Sequence, residues 1–234
     1  MKKKVLCLFM ASAIAIGSFA ASTTVGNTNI IQVQASQYSN MQSVLDLYKK
    51  GDYKKAVSKA SQYPANAKEK CVSKMSNKMK QAYLKKVKKY KNFSQHLDDF
   101  DKGLNDEYIW GYYLTDFKGN GKAELLIQHG TCEADVSMTV YKYSNGKAKK
   151  IGSFYCGHST FSAYPNRAGI IVTEQHMGAE AVSKAFLSKG KIKFTTYGSR
   201  EVSNVEDYIT LPYKLNGHLK KNGVDVSYEA LKND

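Results

Sequence analysis

Asp116, Asn120 and Glu124 fall within the stretch TDFKGNGKAELLI, with glycines at 119 and 121. This is the arithmetic of a calcium loop. Side-chain oxygens at positions 1, 3, 5 and 9 and a backbone carbonyl at 7 wrap a hard cation that takes six to eight oxygens. Here positions 1, 5, 9 and 7 are Asp116, Asn120, Glu124 and Lys122, and Gly121 takes the sharp turn at position 6. Position 3 is Lys118, an ammonium where a ligand belongs, and position 12 is Ile127. Two carboxylates and one amide make a weak calcium site. Lys118 offers another solution: its charge neutralises Asp116 and Glu124 and keeps the turn closed without metal. GNGK is no phosphate loop, because a glycine is required where Asp116 stands.

A second set has zinc-ligand types: His129 and Cys132, then Cys156 and His158. Two thiolates and two imidazoles can hold zinc tetrahedrally. However, Cys156 and His158 would share one face of a strand rather than a turn. A Cys/His nucleophile pair, Cys132 with His158 or His176, is the alternative chemistry, although no nucleophile signature surrounds either cysteine. Asp98, Asp99 and Asp101 in HLDDFD read as a solvated acidic linker. The 17 tyrosines and YIWGYY suit strands and a packed core more than a stacking surface, with Trp110 the aromatic to watch.

The elements that must position these groups change character along the chain. Met41, Val44, Leu45 and Tyr48 share a helical face; Gly51 stops that helix, and Asp52 opens another through Tyr53, Ala56, Val57 and Ala60. A long helix is expected from about Lys68 to Tyr90, with an apolar stripe of Val72, Met75, Met79, Ala82, Tyr83, Val87 and Tyr90. Residues 68–91 carry ten lysines and one acid, Glu69. Such a helix can meet an anionic surface, but its stripe of Ala, Tyr and Met is not the large apolar wedge of an interfacial helix. From Tyr108 the pattern turns to strands: 108–114, 125–128, 136–143, 147–155, 168–174, 181–187 and 192–197. Asn145-Gly146 is a hairpin turn, and SKGK at 188–191 is another. A last helix is expected from Ser227. The fold class expected is therefore α+β: an N-terminal helical hairpin and long basic helix, followed by an antiparallel β-meander.

Composition adds the compartment. MKKKVLCLFMASAIAIGSFA has the basic, apolar and small-residue regions of a signal peptide. We place it at 1–35, with cleavage after Ala35 preferred over cleavage after Ala20. Its apolar run is shorter than a membrane-spanning helix needs. Residues 36–105 form a lysine-rich helical region with 16 lysines against 6 acids; residues 106–234, the β domain, have 16 basic and 14 acidic residues. The N-terminal part therefore carries the field that attracts anions. Cys71, Cys132 and Cys156 are an odd set once Cys7 is set aside, so no disulfide framework is implied. A Cys132–Cys156 pair and three buried thiols both remain open.

YYLTDFKGNGKAELLI resembles the signature Y-x-L-x-D-x-[DN]-G-[DN]-G-x-x-E-L-[LI]-[LIV]. That signature marks exported proteins of Gram-positive bacteria, loosely related to FG-GAP-like calcium loops. KMKQAYLKKVKKY before it is similar to the same group, as are VYKYSNGKAKKI, the YP at 164–165 and the closing YKLNGHLKKNGVDVSYEALK. The likeness thus covers about 75–232. It implies an exported β-rich domain with a calcium-type loop, and no particular reaction. Lys118 departs from the signature.

The expectation is a secreted or cell-surface protein that is not an enzyme and binds an anionic cell-wall polymer or membrane surface, with no specific nucleic acid. A small secreted hydrolase around Cys132, His158 and His176, or a calcium-stabilised structural domain, is the alternative.

Overall fold

Strands that read as one meander divide into two sheets. The computed structural model describes residues 39–67, 71–92, 108–164 and 168–215. The expected signal peptide, the HLDDFD stretch and the expected closing helix lie outside the described residues. Helix α1 spans 39–49 and α2 spans Tyr53–Ala60, with Gly51 at φ +80° between them. The chain is mixed α+β with a strand-rich part.

The expected helix from Lys68 to Tyr90 is shorter than its stripe suggests. A 3-10 turn at Val72–Lys74 ends at Met75, which is extended; Ser76 then caps α3, Asn77–Val87. The Ser76 hydroxyl accepts the Met79 N–H, so the local side-chain bond begins a new helix where periodicity predicted continuity. Past α3, the two residues of β1 (Lys91–Asn92) pair in parallel with Tyr108–Ile109.

The first sheet continues through β2 (Tyr108–Thr115), β3 (Glu124–Gly130), β4 (Ser137–Ser144) and β5 (Lys147–Tyr155), all antiparallel. The second runs β6 (Ser159–Ala163), β7 (Ile170–His176), β8 (Ala179–Ser188) and β9 (Lys191–Glu201), also antiparallel. The chain crosses from one sheet to the other at Cys156–His158, where His158 has φ +51°. Sequence alternation shows strands but not which neighbours bond, so this crossing and β6 were not foreseen. Asn145-Gly146, Met177-Gly178 and Lys189-Gly190 all have positive φ at both residues. That is the turn geometry that matches strand twist in two-residue hairpins.

The layers follow from the alternation. Leu125, Ile127 and Tyr141 face α3 and meet Tyr83, Leu84 and Val87. The opposite face of the same sheet carries Tyr113, whose ring meets Phe161 of the second sheet at 5.3 Å; Phe154 meets Phe194 at 5.3 Å. The outer face of the second sheet is covered by α1 and α2, where Tyr48 packs over Gly198. Each fully buried Leu or Ile contributes about 1.5–3 kcal/mol. The helices have no core apart from the sheets: Met41, Leu45 and Ala56 belong to the cluster containing Val172 and Val182.

Candidate functional site

The loop between β2 and β3 uses its oxygens on itself. Asp116 accepts the N–H groups of Asn120 at 2.8 Å and Gly121 at 2.6 Å. Asn120 Oδ1 accepts the Lys122 N–H at 3.1 Å. Glu124 is buried and accepts the Lys118 N–H at 3.0 Å. Lys118 thus contributes its backbone: among the described residues its ammonium makes no ion pair with Asp116 or Glu124. Burial pushes the Glu124 carboxyl up to about 7, against backbone hydrogen bonds from Lys118 and Phe117 that pull it down. The loop also ties the two sheets. Phe117 is wholly buried, and its carbonyl accepts the Gly169 N–H at 2.8 Å. Gly119 sits at φ +68°, where a Cβ would lie 2.8 Å from the Ala168 nitrogen.

The zinc set does not assemble. Among the described residues no three His, Cys, Asp or Glu side chains converge on a common point. His129 is buried beside Thr139 Oγ1 at 2.8 Å and against the Tyr90 ring at 4.7 Å. Cys71, Cys132 and Cys156 are free thiols, so the pairing left open between Cys132 and Cys156 is not formed. Cys156 is fully buried, and that burial pushes its thiol up to about 12. Cys132 is exposed, but among the described residues no hydrogen bond joins it to His158 or His176. Those two histidines meet each other: their rings stack at 3.7 Å, and His158 Nδ1 lies 2.8 Å from Glu133 Oε1. His158 thus has a carboxylate on one side and the His176 ring on the other. Trp110 is half-buried and donates to the Gly130 carbonyl at 3.3 Å.

A groove of about 690 Å³ opens where α3 crosses the β4–β5 hairpin. Its floor is open because Ala82, Gly146 and Ala148 are small. Lys78, Lys85, Lys86 and Lys89 line one wall, with Lys85 and Lys86 two helical turns after Lys78 and Lys89 one turn further on, and Lys147 lines the other. No acid is among the lining residues. Lys86 Nζ also lies 5.4 Å from the centre of the Tyr141 ring, a cation–π contact that holds this lysine against the sheet beside the groove.

No family model matches the chain, and no curated protein or solved structure does. The arrangement itself therefore carries the reading. Of the groups singled out in the sequence, the structure joins Asp116, Asn120 and Glu124 in one loop and His158 with His176 in one stack. Sequence reasoning missed Lys147 as part of the lysine set, because only the packing of α3 on the hairpin brings residues 78–89 and 147 together. It also missed Glu180, which sits buried on β8 among Tyr48, Gln175, Arg200 and the Ile209 N–H. A lone Glu in a strand-like run, six residues from the nearest acid, was the available signal.

Proposed function

We propose that the protein is an exported, non-enzymatic binding module of the bacterial surface or medium, and that the groove between α3 and the β4–β5 hairpin holds an anionic polymer. One observation carries this: among the described residues, five lysines and no acid line this groove. The leader-like N-terminus and the resemblance to exported Gram-positive proteins support the location. Lysine ammoniums are strongly hydrated point charges that suit phosphate or carboxylate groups on a flexible chain. The attraction is electrostatic and therefore screened by salt. A hydrolase reading needs a thiol activated by an imidazole, and among the described residues no hydrogen bond joins the exposed Cys132 to His158 or His176.

The test is retention on an anionic matrix such as phosphocellulose. The protein binds at low salt and elutes as salt rises, and Lys85→Glu with Lys89→Glu elutes earlier. Retention that ignores salt, or that the double variant leaves unchanged, sinks the reading.

A further inference from the structure

We infer that the groove is one end of a longer track, and that its ligand is a linear phosphodiester polymer without bases rather than a compact anion. This rests on the anionic-polymer reading and extends it. The track follows three acid-free stretches, whose described parts α3, β5 and β9 lie next to one another in that order. Residues 70–97, 136–173 and 181–200 contain no Asp or Glu. The first carries α3. The second carries the hairpin, whose Lys147, Lys149 and Lys150 are exposed on β5, the edge strand of its sheet. The third carries the β8–β9 hairpin, where Lys189, Lys191 and Lys193 are exposed and β9 is the edge of the second sheet. The two edges lie together: Phe154 meets Phe194, and a Cβ on Gly152 would meet Ile192 at 3.2 Å.

Lysines on three separate elements fit charges spread along a chain. A compact anion would instead need several donors converging on one point. Along α3 alone, Lys78 to Lys86 spans roughly 12 Å, and Lys89 follows just past the helix end. Among the described residues Tyr143 is the one aromatic lining the groove, and Phe194 on the β9 edge packs edge-on against Phe154, whereas proteins that hold single-stranded nucleic acid stack successive bases on several rings. A polymer read through its phosphates fits this surface better than one read through bases.

Glycerol phosphate oligomers of increasing length, titrated against the full chain at low salt, test the inference. Affinity should rise with length beyond what the groove alone can cover. Replacing Lys189, Lys191 and Lys193 together by Ala should weaken the longest oligomer about tenfold, lower its salt dependence, and leave the shortest unchanged. Lys85→Ala with Lys89→Ala should weaken both. All these side chains are exposed, and thermal unfolding checks that the variants fold. Equal affinity of the triple variant and wild type for the longest oligomer overturns the track but leaves the groove. Binding of no oligomer by wild type overturns the groove reading as well. Tighter binding of single-stranded DNA of matched charge overturns the choice of a base-free polymer.

Discussion

Arg200 Nε lies 2.7 Å from Glu180 Oε1 across the β8–β9 pair, and the Glu180 side chain is fully buried. Glu180 also accepts the Tyr48 hydroxyl at 3.0 Å and the Ile209 N–H at 2.6 Å, and the Arg200 guanidinium lies over the Tyr53 ring at 4.9 Å. One carboxylate thus fastens α1 and the segment after β9 to the second sheet. Arg200→Ala leaves a buried charge without its counter-charge, which costs about 3–5 kcal/mol. Replacing both partners by apolar residues does not recover this, because Tyr48 and the Ile209 N–H then lose their acceptor. Urea unfolding of the single and double variants measures both. A loss below about 1 kcal/mol for Arg200→Ala would contradict the role.

Glu124 gives the fold a pH dependence of the opposite kind to a salt-bridged acid. Its carboxyl is raised from 4.5 to about 7, chiefly by burial. The folded state therefore holds the proton more tightly than the unfolded state. No penalty exists below pH 4.5; it grows as pH rises toward 7 and is complete above that. The shift corresponds to a penalty on the order of 3 kcal/mol. Glu124→Gln keeps an acceptor for the Lys118 N–H and cannot ionise. It should match wild type in acid and exceed it above neutrality. Parallel unfolding curves at every pH would refute this.

Calcium should not raise the unfolding midpoint. A ligand that binds only the native state must raise it. Here both Asp116 oxygens already accept loop amides, and Glu124 is buried on the Lys118 N–H. Asp116→Ala should destabilise the protein by about 1–3 kcal/mol with or without a chelator, because the two amides lose their acceptor. An upward shift with calcium that Asp116→Ala abolishes would instead establish the loop as a working site.

The strands from Tyr108 onward were legible because alternation over seven or eight residues is a strong local signal. β5 at Lys147–Tyr155 coincides with the expected bounds. β6, with the short sequence STFSA, has no comparable alternation and owes its place to pairing with β7. The loop at 116–124 was legible as a turn, since its glycines and oxygens follow local rules. That its oxygens serve loop amides, and that Phe117 and Gly119 tie it to residues 168–169, depends on the sheet packed behind it. The cysteines were less legible for the same reason: residue type suggests ligands and nucleophiles, while the burial of Cys156 and the stacking of His158 on His176 are decided elsewhere in the chain.

By itself the sequence determined the α+β character, the hairpin turns, the tight loop and the excess of lysine before residue 105. Each of these depends on neighbours within a turn or a strand's length: side-chain period, glycine's access to positive φ, and local charge. Only the tertiary structure decided that the strands form two sheets, that Glu180 receives groups from four other segments, and that the lysines of residues 78–89 face Lys147 across an acid-free groove. Those outcomes depend on contacts between residues far apart in the chain. Burial and packing select such contacts globally, and no local pattern encodes them.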